Sequence, residues 1–306
     1  MRVLVIGATG LLGKVLLQQW DRDNDEATGA GSRDADVRDP AQLRLLFERC
    51  RPEWTILAAA YTDVDGCEKD PERAHQVNCV GAMNVARVAR ESRSKLLFLS
   101  TDYVFDGKKN APYEPGDALG PLNVYGRSKA EAEKGIREIL PDCCIVRTSW
   151  LFGGNGKCFP NTILELAQSR DKLTVVADQT GSPTFNRDLA DGIVKLVRAN
   201  AQGIVHVTNR GACSWYEFAR EILGAAGRTD VDVSAARTED VPRPATRPKY
   251  SVLSGAGLEK FGLRMRPWQE TLSDYCAERE RLSSQSSAQA EATIAAGSAP
   301  DQGRSR

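Results

Sequence analysis

Apolar and polar positions along this chain alternate between two kinds of segment. Val3–Ile6 is a short apolar run ending at Gly7, and the spacing beyond it predicts a helix over Leu11–Trp20. Asp39-Pro40 supplies an N-cap acid and a first-turn proline, and Leu43, Leu46 and Phe47 give the helix behind them a buried stripe. Trp54–Ala58 reads as a third strand. Glu26–Ser32, rich in glycine and alanine, is the second strand by spacing rather than propensity. A helix opening at Asp70-Pro71 runs through Val77, Val80, Val85 and Val88. Leu96–Leu99 is a fourth strand, Val124–Leu140 a helix and Cys144–Val146 a fifth strand. Repeated βα units of this kind predict an α/β fold, with a doubly wound parallel sheet covered by helices on both faces.

Beyond Arg147 the pattern loosens. Leu173–Val176 and Ile204–Val207 read as strands, Asp188–Val197 as a helix, and Ser214-Trp215-Tyr216-Glu217 as a capping box for a helix through Leu223. Proline-bearing loops lie at Gly181-Ser182-Pro183 and Val241–Pro248. We therefore expect a Rossmann-type NAD(P)-binding domain over 1–150 and a smaller C-terminal substrate-binding lobe over 151–277, interwoven with the first. Residues 278–306 have few large apolar side chains and are expected to form a disordered tail.

Composition removes several function classes. The 41 basic and 41 acidic residues cancel, so neither nucleic acid nor an acidic membrane surface is an expected partner. No apolar run approaches the roughly 20 residues of a membrane span. The N-terminus enters a strand without a signal-peptide pattern, so a cytoplasmic protein is expected. Eight scattered cysteines without Cys-x-x-Cys spacing read as reduced thiols. His75 and His206 are the only histidines; neither has a ligand-like neighbour in sequence, so no metal is expected.

The remaining chemistry is concentrated in two motifs. Gly7-Ala8-Thr9-Gly10-Leu11-Leu12-Gly13 joins a strand to a helix, and the N–H groups and dipole of such a helix start attract a pyrophosphate. Gly7, Thr9, Gly10, Leu11, Leu12 and Gly13 are thus candidate cofactor contacts. At the end of the second strand stand Ser32 and Arg33; an arginine there accommodates a 2′-phosphate, which favours NADPH, with NADH as the alternative. Tyr125 and Lys129 lie four residues apart, on one helix face. An ammonium beside a phenol favours phenolate and would lower the tyrosine pKa. Thr101 closes the fourth strand, at the sheet edge where such folds bind ligands. Tyrosine as proton donor, lysine beside it and threonine on the carbonyl oxygen would serve hydride transfer to a ketone.

These motifs resemble the extended short-chain dehydrogenase/reductases, whose signature is Gly-x-x-Gly-x-x-Gly with a Ser/Thr–Tyr–Lys triad. Ser100-Thr101-Asp102-Tyr103-Val104-Phe105-Asp106-Gly107, Arg147-Thr148-Ser149-Trp150-Leu151-Phe152-Gly153, Asp178-Gln179-Thr180-Gly181-Ser182-Pro183-Thr184 and Arg247-Pro248-Lys249-Tyr250 resemble more narrowly the dTDP-4-dehydrorhamnose reductase family. The resemblance spans about residues 1 to 275. It implies a nucleotide-sugar substrate reduced at C4, with Thr101, Tyr125 and Lys129 catalytic. It places Asp36 and Val37 at adenine and Ala58, Ala59 and Ala60 along the cofactor. Tyr103, Trp150 and Arg247 would contact substrate, Trp150 by stacking and Arg247 at the diphosphate. Some members bridge two subunits through magnesium on glutamates, one of them two residues after the last cofactor glycine. Lys14-Val15 stands there, so no such bridge is expected, and a homodimer would need other contacts.

Two rivals share the fold. Nucleotide-sugar dehydratases carry an Asp-Glu pair after the threonine, where this chain has Asp102-Tyr103. The non-catalytic regulatory subunit of methionine adenosyltransferase can retain the triad, but the Trp150 and Gln179–Thr184 segments favour the reductase.

Overall fold

The computed structural model describes residues 1–20, 25–154 and 156–297, with side chains described as far as residue 284. Its centre is a six-stranded parallel sheet. Five strands come from the first half: β1 (Arg2–Ile6), β2 (Glu26–Ala30), β3 (Trp54–Leu57), β4 (Lys95–Thr101) and β5 (Cys144–Thr148). The helices between them are α1 (Gly13–Trp20), α2 (Pro40–Cys50), α3 (Val64–Lys69), α4 (Pro71–His75), α5 (Gly81–Glu91) and α6 (Val124–Ile139). Successive side chains of a strand point to opposite faces, and the core divides accordingly. Val3, Val5, Ile56 and Val146 pack with α1 on one face. Leu4, Ile6, Leu57 and Ile145 pack with α2, α5 and α6 on the other.

Local signals act where the sequence places them. Asp39 caps α2, accepting from the Ala41 and Gln42 amides, and Leu43, Leu46 and Phe47 are buried. The Ser214/Glu217 capping box is complete. The weak second strand forms beside β1 in parallel register, Arg2 to Glu26 through Ile6 to Ala30. Leu11 and Leu12 depart from the expected helix: Gly10 N–H donates to the Gly7 carbonyl at 3.0 Å, so the turn persists to Gly13 before α1 begins. The long helix after Asp70-Pro71 is also interrupted, by one wide π-type turn over Gln76–Val80.

The second half contributes α7 (Phe159–Leu166), α8 (Asn186–Arg198), α9 (Trp215–Ala225) and seven strands: β6 (Leu151–Phe152), β7 (Lys172–Val176), β8 (Thr180–Gly181), β9 (Thr184–Phe185), β10 (Gly203–His206), β11 (Cys213–Ser214) and β12 (Asp232–Ala236). The interweaving is specific. β10 becomes an edge strand of the main sheet beside β5, and α8 packs Leu189, Ile193 and Leu196 into the α1 face. The rest forms a smaller lobe around Phe152, Phe185, Phe218, Trp268 and Tyr275, with β6 paired to β9, β7 to β12 and β8 to β11.

The expected disordered tail is corrected. α10 (Leu272–Gly297) runs as helix through residue 297, and 298–306 lie outside the described residues. Tyr275 anchors this helix by donating to Asn161 Oδ1 at 2.7 Å, and Glu278 is buried against Arg187 at 2.9 Å. Once a first turn is held by packing, alanine, glutamine and glutamate extend a helix without needing apolar burial of their own.

Replacing Asp39 with alanine should cost about 1 kcal/mol, the usual price of an N-cap side chain, read by urea denaturation. An unchanged midpoint would show that proline alone starts α2.

Candidate active site

The strand order β10-β5-β4-β3-β1-β2 reverses direction of winding between β1 and β3. Ligands of open parallel sheets bind beyond the strand ends at such a point. The two turns leaving β1 and β3 pass very close together there. Gly7 has φ +95°, and a Cβ on it would lie 2.5 Å from the Ala59 backbone nitrogen. A Cβ on Gly13 would collide with the Gly7 carbonyl. Both glycines are therefore required by the backbone itself, and they leave the start of α1 open as an anion cradle.

Three adjoining cavities form one cleft. The first, about 370 Å³, is lined by Gly7, Thr9, Gly10, Ser32, Asp36, Val37 and Ala58–Ala60, as a bound adenosine would require. The second, about 410 Å³, runs from Gly10–Gly13 to Thr101, Tyr125, Lys129 and Trp150. The third, about 570 Å³, holds Arg247 and shares Tyr103 and Trp215 with the second. Arg33 is exposed and does not line the first cavity. Arg38 and Arg73, which the sequence reading passed over, do. Arg38 is paired with Asp36 at 2.6 Å, and Arg73 lies 4.5 Å from the centre of the Tyr61 ring.

The triad assembles from two elements. Thr101 ends β4, and Tyr125 and Lys129 occupy the first turns of α6. Asn123 caps that helix by accepting from the Gly126 N–H at 2.8 Å, while its own amide donates to the Thr246 carbonyl at 2.8 Å. Glu68 of α3 accepts from the Val124 N–H at 2.8 Å. Thr101 Oγ1 donates to Asp102 Oδ1 at 3.0 Å and accepts from the Tyr103 N–H at 3.2 Å, and Thr101 lines the same cavity as Tyr125.

The electrostatics differ from the simple expectation. Tyr125 is half-buried by surface, but it lies deep enough among protein atoms that burial, reinforced by the Asp102 charge, pushes its phenol up; Thr101 only partly opposes this. The phenol is therefore held neutral, not drawn toward phenolate. Burial pushes the Lys129 ammonium down to about 7, with Glu133 acting against it. Its Nζ lies 3.9 Å from the Phe98 ring centre. Asp102, which lines the same cavity as Tyr125, is also pushed up to about 7 by burial, with Ser251 and Thr101 opposing the shift.

A family model described as the RmlD substrate binding domain matches residues 1–281. The chain belongs to that family. The Bacillus subtilis spore coat polysaccharide biosynthesis protein SpsK is 39% identical over 91% of this chain and 98% of its own length. dTDP-4-dehydrorhamnose reductase of Mycolicibacterium smegmatis is 37% identical, over 90% of this chain and 85% of its own. The crystal structure of dTDP-4-dehydrorhamnose reductase from Bacillus anthracis in complex with NADP superposes with a TM-score of 0.88 at 38% identity, covering 90% of this chain and 99% of that one.

Within this RmlD-family cleft, several side chains lie outside the sequence reading. Trp215 stacks on Trp150 with ring centres 3.4 Å apart and planes within 6°. Trp150 itself has φ +46°, and Gly181 leaves room for its indole. Asn78, in the π-type turn, takes the Tyr61 N–H on Oδ1 at 2.7 Å and donates to Ser128 Oγ at 3.1 Å, pinning the strand-end turn to α6. In sequence it was one polar residue inside an apolar stripe. Arg247 is brought to the third cavity, but its guanidinium is already bidentate to Asp65, at 3.0 and 2.9 Å. Arg243, more exposed, reaches Asp65 only at 3.7 Å. His75 does have potential ligand neighbours: its ring, Cys79 and Glu131 bring donor atoms within 4.8 Å of one another, away from the cleft walls.

His206 is buried beside Arg147, and burial followed by that charge pushes its imidazole down to about 3. The unfolded chain binds this proton near pH 6.5 and the folded chain does not. Stability from this group is therefore complete above about pH 6.5 and is lost as pH falls below it, by up to about 1.4 kcal/mol per pH unit. Denaturant titrations between pH 7 and 5 should show that slope in the wild type and a flatter one in His206→Gln.

Proposed function

We propose that this cleft binds NADPH along the Gly7–Gly13 turn and reduces the C4 ketone of dTDP-4-dehydro-L-rhamnose to give dTDP-L-rhamnose. The observation carrying the reading is that Thr101, Tyr125 and Lys129 converge in the cavity that opens onto the glycine turn. The reduced nicotinamide, when bound, supplies the hydride. The chain must then supply the proton. Tyr125, held neutral by burial, gives its hydroxyl proton to the oxygen left on C4, and the Thr101 hydroxyl steadies that oxygen. Lys129, one turn further along α6, offsets the charge left on the phenol and can hold the nicotinamide ribose.

Trp150, backed by Trp215, forms a flat wall for the sugar or thymine. The third cavity, with Arg247 fixed by Asp65 and Arg243 freer beside it, suits the nucleotide diphosphate. We assign the 2′-phosphate to Ser32 with Arg33 or Arg38. We also place the enzyme in the cytoplasm, without a metal bridge at Lys14-Val15; a homodimer, if formed, uses other contacts.

Mixing the protein with dTDP-4-dehydro-L-rhamnose should consume NADPH, followed by its absorbance. Tyr125→Phe should reduce turnover by roughly 10²–10⁴-fold with little change in NADPH affinity. Near-wild-type turnover in that variant would exclude Tyr125 as the donor. Of Arg33→Ala and Arg38→Ala, whichever removes the 2′-phosphate contact should raise KM for NADPH by about tenfold or more while sparing NADH. A wild type that prefers NADH would sink the cofactor assignment.

A further inference from the structure

Behind the triad lies a buried group of charges that the reaction described above leaves unused. Glu133 is on α6, one turn beyond Lys129, with its side chain 3% exposed. Arg147 of β5, 2% exposed, donates to both its oxygens, Nε to Oε1 at 2.9 Å and Nη2 to Oε2 at 2.6 Å. Ser100 Oγ donates to the same Oε1. Ser100 immediately precedes Thr101 and pairs in register with Arg147. Arg147 Nη1 donates to the Pro115 carbonyl at 3.2 Å and lies 3.3 Å from His206 Nε2. One carboxylate thus joins α6 to the ends of β4 and β5.

A buried ion pair gains little net stability over apolar residues of the same volume, so stability alone is a weak reason for this one. Its position offers a better reason. Thr101 comes from a strand and Tyr125 and Lys129 from a helix, so their alignment depends on how α6 is seated against the end of β4. Glu133 fixes that seating one residue from Thr101. Lys129 faces Tyr125 and Glu133 on its own helix and the Phe98 ring on β4, while Asp102 lines the same cavity and Arg147 stands behind Glu133. Glu133 is the opposite charge that supports the ammonium.

We propose that Glu133 is a positioning residue for the triad: through Ser100 and Arg147 it seats α6 against Thr101. Its charge, one helical turn away, opposes the burial that lowers the Lys129 ammonium. This rests on the reductase reading above, and wild-type turnover tests that reading separately. Glu133→Gln keeps the size but removes the charge and leaves Arg147 without its carboxylate partner. It should lower kcat by about 10²-fold, as a small misplacement of reacting groups can. It should leave KM for NADPH within about threefold, and move the alkaline limb of the kcat profile to lower pH. Glu133→Asp keeps the charge but shortens the reach, so kcat should fall while the limb stays. An unmoved limb in Glu133→Gln, or unchanged kcat in both single variants, would reduce the pair to a structural role. If Glu133→Gln fails to fold, Glu133→Asp and Ser100→Ala, which leaves the ion pair intact, decide the seating claim through kcat. If the wild type turns over no keto sugar, the pH dependence of NADPH affinity in the same variants still reads the Lys129 charge.

Discussion

The cleft exists because two backbone turns cross at less than side-chain distance. The turn after β1 lies on the turn after β3, and Gly7 fits only because it lacks a Cβ that would press on the Ala59 nitrogen. That contact lies where the sheet changes its direction of winding, beside the amino end of α1. The nearby triad inherits its position from the same sheet, since Thr101 ends β4 and α6 is tied down from three directions, by Glu68, Asn123 and Glu133.

Burial, more than pairwise charge, governs the chemistry of the site. It holds the Tyr125 phenol neutral, lowers the Lys129 ammonium and raises the Asp102 carboxyl. A proton donor suits a reductase better in its neutral form, so this corrects the simplest view of a lysine drawing a tyrosine toward phenolate. In the proposed reaction the lysine's contribution falls after the proton has moved, when a charge must be accommodated in a poorly solvated place.

Much of this was legible in the sequence. Caps, apolar stripes and glycine spacing act over a few residues, so α2, α6, α9 and the Gly7–Gly13 turn could be placed from local signals. Thr101, Tyr125 and Lys129 do come together, because the sheet edge and one helix face are enough to predict it. What could not be read depends on distant partners. Asp65 engages Arg247 across 182 residues, Trp215 of α9 covers Trp150, and Arg38 rather than Arg33 lines the cavity beside Gly7 and Ala58. The tail misled for the opposite reason: apolar content says whether a segment can bury itself, not whether an anchored helix can continue into it.

The return of residues 186–206 to the main sheet bears on how the molecule can be divided. Cutting the chain at 150 would strip the outer neighbour from β5 and leave Cys144, Ile145 and Val146 with an open hydrogen-bonding edge. It would also uncover the α1 face where α8 sits. The first 150 residues thus do not contain the whole sheet. During synthesis its last strand emerges after β6, α7 and β7–β9 but before β11, α9 and β12, so the sheet is completed while the second lobe is still being made.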